Sequence, residues 1–237
     1  MTAPRRIAVV VPVHDEEELL AECLGALAEA CAAAGRAGVP AAVTVVLDSC
    51  TDASQAVATA AGVEAVVVWA RNVGHARAAG CAAVLAAPTA ADVPRDLDWL
   101  ATTDADSVVP VDWLVRQVEH AAAGADLVVG TVSVEDWSGW PPGTARRYTD
   151  RYRWSGAGGH PHVHGANLGI RASVYEAVGG FPPLVTGEDR GLVTAAAALG
   201  ARITRATDLP VRTSSRPSGR APLGFSEHLH SVARRSA

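Results

Sequence analysis

The sequence predicts an α/β fold in which helices cover both faces of a mostly parallel sheet. Short apolar runs, each the length of a buried strand, alternate with helical patterns and are joined by short connections. The chain has 237 residues, of which 49% are hydrophobic, enough for one large core but not for two. We therefore expect one doubly wound domain, with a first half at about residues 5–134, a second half at about 135–220 and a tail at 221–237.

Charge and composition exclude several classes of protein. The net charge is −5 and lysine and arginine form no long run, so the chain lacks the basic surface that nucleic acids require. No apolar segment reaches the ~18 residues of a membrane span, and the four cysteines lack metal-binding spacing. These features predict a cytoplasmic protein with free thiols and without zinc.

The first predicted strand, residues 7–13, is apolar throughout, as is typical of a strand buried on both faces. Pro12 ends its pairing, and His14 and an acidic run that includes Glu16 follow. Asp15 is expected to cap the helix that comes next. This pattern predicts that polar side chains lie at the carboxyl end of the strand.

The next two predicted strands also lead into polar residues. Residues 43–47 are followed by Asp48, and residues 65–69 lead to Asn72 and an alanine-rich helix that contains Arg77. Because open α/β sheets bind ligands at the carboxyl ends of their strands, these side chains are expected near one site. Arg77 would help to neutralise a diphosphate there; the alternative is a solvated surface arginine.

The fourth predicted strand, residues 97–103, ends in Asp104-Ala105-Asp106. Two carboxylates at the mouth of a strand can hold a hard divalent cation such as Mn²⁺ or Mg²⁺, whose remaining positions go to diphosphate oxygens and water. The alternative is that the two aspartates only form a turn or a helix cap. A helix at 111–123 and a strand at 126–134 are expected next. Neither a glycine-rich dinucleotide motif nor a P-loop occurs.

The second half of the chain begins with a segment, residues 135–164, that is rich in tryptophan, tyrosine and arginine. A helix is expected near 144–154. Trp137 and Trp154 have the flat apolar surface that stacks on sugar rings, and the alternative is that they pack within a capping element.

Three further features complete the chain. A short strand is expected at 164–171, and the pair Glu188-Asp189 begins a later helix. Arg216 lies in a loop rich in serine and arginine, and a terminal helix is expected at 225–232. The carboxylate pair could supply a base for an acceptor hydroxyl, or only a helix cap with an ion pair to the next residue.

Taken in order, these motifs resemble the GT-A nucleotide-sugar transferases, most closely glycosyltransferase family 2. The motifs are Val-Val-Val-Pro-Val-His-Asp-Glu-Glu-Glu, Leu-Asp-Ser-Cys-Thr-Asp, Asn-Val-Gly-His-Ala-Arg, Thr-Asp-Ala-Asp-Ser, His-Gly-Ala-Asn-Leu-Gly-Ile-Arg, Gly-Gly-Phe and Gly-Glu-Asp-Arg. They extend over about residues 6–216. The resemblance implies a GT-A fold with a nucleotide-binding first half and an acceptor-binding second half.

The resemblance also implies roles for individual residues. The residues implied to bind the sugar nucleotide are Pro12, His14, Glu16, Asp48, Asn72, Arg77, Asp104 and Arg216. Among them, Asp48 is implied to contact the base and Arg77 the diphosphate. A late loop commonly folds over the diphosphate in GT-A enzymes, so Arg216 or Arg220 could clamp it; the alternative is a loose, solvated tail. Asp104 and Asp106 are implied to hold the metal. Asp189 corresponds to the catalytic base, with Glu188 as its neighbour. The residues implied to lie on the acceptor side are Trp137, Trp154, His164 and Asn167.

We therefore expect a metal-dependent, inverting glycosyltransferase that uses a nucleotide-diphosphate sugar and an acceptor that is soluble or lies at a membrane surface. One alternative is a retaining GT-A transferase, because related retaining enzymes carry a similar turn after the second strand. The other is a catalytically silent protein that binds nucleotide sugars. The presence of Asp106 and Asp189 favours an enzyme.

Overall fold

The computed structural model describes residues 3–87, 98–152, 159–219 and 224–234. The strands are β1 (Arg6–Val13), β2 (Ala41–Asp48), β3 (Glu64–Val68), β4 (Asp98–Thr102), β5 (Ser107–Val108), β6 (Leu127–Val129), β7 (Val132–Ser133), β8 (Leu168–Arg171), β9 (Ile203–Arg205) and β10 (Val211–Thr213). Seven of them form one sheet with the order β3-β2-β1-β4-β8-β6-β9. The other three form a small sheet with the order β5-β10-β7.

The large sheet is mostly parallel, as predicted. β1 pairs in parallel with β2 and β4, β2 with β3, and β6 with β9. The prediction that Pro12 ends the pairing of the first strand is wrong, because the register with β2 continues through Pro12 to Val13. Among the described strands of this sheet, only β8 lies antiparallel to its neighbours, β4 and β6. The carboxyl ends of β1, β2 and β4 therefore meet at one edge, which is the edge that the sequence predicted for the site.

Helices cover both faces of this sheet. They are α1 (Leu20–Arg36), α2 (Ser54–Ala60), α3 (Val73–Ala86), α4 (Trp113–Ala122), α5 (Thr144–Tyr152), α6 (Ala172–Ala177), α7 (Glu188–Ala198) and α8 (Phe225–Arg234). α1, α2 and α4 contribute to the apolar cluster on one face, and α3, α6 and α7 to the cluster on the other. Val9 and Val11 belong to the first cluster and Val10 to the second, which explains why β1 is apolar throughout. None of the described helices is both long and apolar enough to cross a bilayer.

The single strand predicted at 126–134 is wrong, because this segment divides between the two sheets. β6 pairs with β8 and β9, whereas β7 pairs with β10. The strand is interrupted at Gly130, which passes so close to Asn167 that a Cβ on it would lie 2.2 Å from the Asn167 Nδ2 atom. The small sheet also pairs β10 with β5, and it thereby brings residues 214–219 close to Asp106: the Ser214 N–H donates to the Asp106 carbonyl at 3.2 Å.

The prediction that Asp15 caps the first helix is also wrong. α1 begins at Leu20, and Asp15 lies in the left-handed region with φ of 52°. Its carboxylate accepts hydrogen bonds from the N–H groups of Thr51, at 2.6 Å, and Asp52, at 3.3 Å. Asp15 therefore fastens the loop after β1 to the loop after β2.

A third apolar cluster joins α5 to α8. Its buried members are Trp140, Tyr148, Leu229 and Val232. The helix predicted at 225–232 is present as α8, and its buried Leu229 and Val232 attach the end of the chain to the rest of the fold. Most of the described aromatic side chains of the 135–164 segment therefore pack within this cluster, as the alternative interpretation had it.

Close contact between α3 and the sheet depends on Gly80. A Cβ on this residue would lie 2.5 Å from Cγ1 of Val10 and 2.6 Å from Cγ2 of Val46, both of which are fully buried. Neither valine can move away without disturbing its own packing. Gly80 therefore sets the distance between α3 and strands β1 and β2.

We expect Gly80→Ala to lower the free energy of unfolding by about 1–3 kcal/mol, the usual cost of overpacking a core. Urea denaturation measures this change. Gly25→Ala is the matched control, since it also lies within a helix but its Cβ would meet no atom within 4 Å. The control should raise the stability by about 0.5–1 kcal/mol. A Gly80→Ala protein as stable as Gly25→Ala would contradict this account of the α3 contact.

Candidate functional site

A pocket of about 740 Å³ opens at the carboxyl ends of β1, β2 and β4. Twelve of the predicted site residues line it: Pro12, His14, Glu16, Asp48, Asn72, Arg77, Asp104, Asp106, His164, Glu188, Asp189 and Arg216. Strand ends supply the acids of the first half, and the starts of α3 and α7 supply residues from the opposite side. The structure therefore brings together side chains that are up to 200 residues apart in the chain.

Arg77 lies at the centre of this arrangement. Its side chain is only 3% exposed, and its guanidinium forms ion pairs with Asp104 and Glu188. Burial opposes the charge, but the two carboxylates outweigh that effect and raise the pKa of Arg77. Gly165 makes room for the guanidinium, because a Cβ there would lie 2.4 Å from the Arg77 Cζ atom. One buried cation thus joins the mouth of β4 to the start of α7.

Asp104 and Asp106 follow β4 and both face the pocket. The Asp106 side chain is 19% exposed and lies 3.3 Å from Nη2 of Arg216. Burial and the neighbouring Asp104 raise the pKa of Asp106 to about 7, although Arg216 counteracts them. The aspartate pair is therefore short of positive charge. Carboxylate oxygens in such surroundings fit a hard divalent cation.

The loop after β10 closes one side of the pocket. Arg216 Nη1 donates to Glu16 Oε2 at 2.5 Å, and Glu16 is almost fully buried. Trp140 holds the loop in place, because its Nε1–H donates to the Ser215 carbonyl at 2.5 Å. These contacts place the Arg216 guanidinium beside the carboxylates of Glu16 and Asp106.

At the other end of the pocket, Asp48 organises the turn between β3 and α3. Its carboxylate accepts hydrogen bonds of 2.7–2.8 Å from the N–H groups of Ala70, Arg71 and Asn72. Burial opposes ionisation, but these bonds hold the pKa of Asp48 below its usual value. The ring of His14 lies 2.7 Å from the Asp48 carbonyl. A base that contacts the Asp48 carboxylate, as the resemblance implies, would therefore share it with these three backbone N–H groups.

The Asn72 side chain supports the same turn. Its Oδ1 accepts from the His75 N–H at 2.9 Å, which caps α3, and its Nδ2 donates to the Pro183 carbonyl at 3.1 Å. Asn72 thus joins this turn to the segment that precedes α7.

Asp189 is half-buried at the start of α7 and lines the pocket. Its Oδ2 accepts from the Gly165 N–H at 2.9 Å, and its Oδ1 from the Arg190 N–H at 2.7 Å. These two bonds fix the orientation of the carboxylate. Glu188 next to it is buried against Arg77, and burial raises its pKa while Arg77 counteracts that effect.

Tyr152 and His164 form a further part of the pocket wall. The Tyr152 hydroxyl accepts from the Val132 N–H at 2.8 Å and lies 3.0 Å from His164 Nε2. Burial lowers the pKa of His164 to about 3, so the ring is neutral at neutral pH. An unprotonated Nε2 of the neutral ring can accept a hydrogen bond from the Tyr152 hydroxyl. The Val132 N–H, the Tyr152 hydroxyl and the His164 ring then form a continuous chain of hydrogen bonds.

The structure does not bring Trp137 and Asn167 to the lining of the pocket. Asn167 is fully buried, and its Nδ2 donates to the carbonyls of Thr131 and Leu209 while its Oδ1 accepts from Trp113 Nε1. Its amide thus holds together three parts of the fold and faces no ligand. Trp137 packs on Tyr148 with ring centroids 5.3 Å apart. Trp154 and Arg220 lie outside the described residues.

Several residues of the pocket wall are not among the site residues assigned from the sequence, although the arginines of the 135–164 segment, Arg151 included, were candidates for an anionic acceptor and His228 a weaker candidate for a metal ligand. They are Arg151, Tyr152, His162, Arg190, Phe225 and His228. The alternation of histidines at 160, 162 and 164 was a signal, because alternate residues of an extended segment share one face. The remaining residues come from three separate helices, and no sequence pattern connects them.

A separate group of possible metal ligands lies beside the pocket in the loops after β1 and β2. Ligand atoms of Asp15, Cys50 and Asp52 lie within 4.8 Å of one another. The Asp15 carboxylate is already bonded to two backbone N–H groups there, which accounts for its position without a cation.

Comparisons with known proteins agree with this geometry. The family model described as Glycosyl transferase family 2 matches residues 8–179. A search of curated proteins finds no match. Many solved structures resemble the chain. The three described below are less than 25% identical to it, so they show the fold alone.

Three of these structures illustrate the range. The mannosyltransferase PcManGT from Pyrobaculum calidifontis, in complex with GDP-Man and Mn²⁺, is 21% identical, with a TM-score of 0.66; the match covers 98% of this chain and 70% of that one. S. aureus TarS 1-349 is 16% identical, with a TM-score of 0.63, and the match covers 90% of this chain but only 61% of that one.

The third is glucosyl-3-phosphoglycerate synthase from Mycobacterium tuberculosis, in complex with Mn²⁺, UDP and phosphoglyceric acid. It is 19% identical, with a TM-score of 0.59, and the match covers 98% of this chain and 75% of that one. All three have the GT-A architecture that the sheet order and the pocket edge indicate. Because the family model spans most of the chain, from the first strand to the segment after α6, the protein belongs to glycosyl transferase family 2.

Proposed function

We propose that this protein transfers a sugar from a nucleotide-diphosphate sugar to an acceptor hydroxyl, with a divalent cation and with inversion at the anomeric carbon. The observation that carries the proposal is that the Asp104-Asp106 pair and Asp189 open on the same pocket, with Arg77 between them. The mannosyltransferase and the glucosyl-3-phosphoglycerate synthase, which share the fold, were crystallised with Mn²⁺ and a nucleotide.

The donor end of the pocket suits a diphosphate. Asp104 and Asp106 would hold the cation, and when bound it would neutralise the diphosphate and stabilise the nucleotide as the leaving group. Arg216 already lies beside these acids, where it is able to exchange its pairing with Glu16 for a phosphate oxygen. Pro12 and His14 at the end of β1 would line the nucleoside pocket.

At the acceptor end, Asp189 is the general base in this proposal. A carboxylate can take the proton of an acceptor hydroxyl as that oxygen attacks the anomeric carbon. The N–H groups of Gly165 and Arg190 orient it. Glu188 is a positioning residue, because its carboxylate is buried against Arg77 and holds the start of α7 in place.

The metal requirement is tested with Asp106→Asn. We expect calorimetry with UDP or GDP and Mn²⁺ to show at least about tenfold weaker nucleotide binding in the variant, because one charged metal ligand is lost. Chelation of Mn²⁺ should weaken binding to the unaltered protein to a similar extent. Asp112→Asn, an exposed aspartate paired only with Arg116 among the described residues, is the control and should bind normally. Equal affinity with and without the cation would contradict the metal role.

The role of Asp189 is tested with Asp189→Asn, which keeps the shape and removes the base. We expect kcat to fall by about 10²–10⁴, while the dissociation constant of the nucleotide changes little. Asp150→Asn, at an exposed position on α5, is the control. NMR of the product shows whether the anomeric configuration is inverted, and a retained configuration would favour the alternative retaining mechanism.

Arg216 is tested with Arg216→Gln, compared with Arg212→Gln from the same strand and loop. Among the described residues, Arg212 pairs only with two exposed glutamates, Glu22 and Glu135. We expect kcat/KM to fall by about 10–100-fold for Arg216→Gln and to stay within twofold for Arg212→Gln, because only Arg216 reaches the donor end. A melting-temperature measurement checks that both fold. Unchanged kcat/KM in Arg216→Gln would limit this arginine to a structural role.

A further inference from the structure

The arginines of the pocket differ in how their charge is balanced. Arg77 and Arg216 each form ion pairs with two acids. Arg151, in the last turn of α5, and Arg190, in the first turn of α7, also line the pocket, and both are exposed. In the part of the chain that the structure describes, neither of these two guanidinium groups forms an ion pair. Arg71, in the turn that Asp48 organises, also lines the pocket and forms no ion pair among the described residues. Arg151 and Arg190 are the two such arginines that come from α5 and α7.

The two arginines lie on the acceptor side of the pocket. Arg190 directly follows Asp189, and Arg151 directly precedes Tyr152, whose ring stacks on His162 with centroids 3.9 Å apart. Both arginines line the same pocket as His228, whose pKa is lowered by burial and further by the two guanidinium charges. Arg190 also lowers the pKa of His162 and His164, again after burial.

The three histidines of this wall, His162, His164 and His228, do not change its net charge at neutral pH. Burial is the main cause that lowers the pKa of His162, His164 and His228, so these rings are neutral at neutral pH. Four acids of the pocket are engaged elsewhere: Glu188 and Asp104 with Arg77, and Glu16 and Asp106 with Arg216. Asp189 remains on this wall, where its carboxylate accepts from two backbone N–H groups. With Asp189 counted against the two arginines, the described residues of the acceptor wall have a net charge near +1.

We propose that Arg151 and Arg190 bind a phosphate monoester group of the acceptor, so that the substrate glycosylated here is a hydroxylated phosphomonoester. This inference rests on the proposed function. A phosphate monoester carries nearly two negative charges at neutral pH and three oxygens, which matches two guanidinium forks that approach from different helices. The hydroxyl of the same molecule would lie at Asp189, next to Arg190 in the chain.

The test is a calorimetric titration with sn-glycerol 3-phosphate, glycerate and glycerol, at constant ionic strength. It is done with and without UDP or GDP and Mn²⁺, because a filled donor end prevents the phosphate from binding to Arg77 and Arg216 instead. We expect glycerol 3-phosphate to bind at least tenfold more tightly than glycerate and to compete with inorganic phosphate. Glycerol should show no binding. Equal affinity for glycerate and glycerol 3-phosphate would overturn the assignment to a phosphate monoester.

Arg151→Gln and Arg190→Gln remove the charges while keeping side-chain length. Each should weaken glycerol 3-phosphate binding at least tenfold, and Arg190→Lys should restore part of it. Arg146→Gln is the matched control, since Arg146 lies on the same helix as Arg151 but is 88% exposed and pairs with Asp150. It should bind as the unaltered protein does. Binding that is unchanged in both glutamine variants would overturn the proposal.

Two further measurements separate the outcomes. Vesicles that contain lysophosphatidic acid present the same phosphate monoester, with one free hydroxyl, on a lipid. Tighter binding to these vesicles than to glycerol 3-phosphate, lost in the two variants, would identify a lipid acceptor, and the reverse order a soluble one. Affinity for the nucleoside diphosphate with Mn²⁺ is measured on the same proteins. Loss of glycerol 3-phosphate binding with normal nucleotide binding supports the acceptor site, whereas an absence of nucleotide binding in every protein would count against the proposed function instead.

Discussion

The arrangement of the pocket depends on the buried ion pairs of Arg77. A guanidinium that is 3% exposed is stable only if carboxylates compensate it, and here one comes from the mouth of β4 and the other from the start of α7. Removing one partner of such a buried group typically costs about 3–5 kcal/mol, because the remaining charge is left without compensation. The absence of a side chain at Gly165 is part of the same constraint, since a Cβ there would overlap the guanidinium. The donor and acceptor ends are thereby held at a fixed distance.

Charge is distributed unevenly between the two ends of the pocket. At the donor end, acids outnumber the arginines that pair with them, and burial together with that excess raises the pKa of Asp106 to about 7. At the acceptor end, the buried histidines are neutral and the arginines have no acidic partner among the described residues. The donor end is thus left with an excess of negative charge and the acceptor end with an excess of positive charge. Such a gradient orients a substrate that has a different charge at each end.

The fold leaves the choice of donor open. Solved structures with this architecture include a complex with GDP-Man and one with UDP, so different proteins of this fold bind different nucleotides. In this chain the Asp48 carboxylate is largely used by the turn at residues 70–72. Under the proposed function, recognition of the base would therefore depend on the few side chains that remain around it, with His14 at the end of β1 foremost.

The sequence by itself determined the fold class and the convergence of the acids at one edge of the sheet, because both follow from local patterns. Buried parallel strands require continuous apolar runs, and their carboxyl ends meet at one edge, so acids that follow those runs were predicted to converge. Only the tertiary structure decided the acceptor end. Asn167 belongs to the same motif as His164, yet its amide is consumed by three hydrogen bonds inside the fold. Arg151 and Arg190 lie 39 positions apart and meet one cavity because α5 and α7 pack around it. Convergence of that kind arises from packing between distant elements, which no local sequence pattern records.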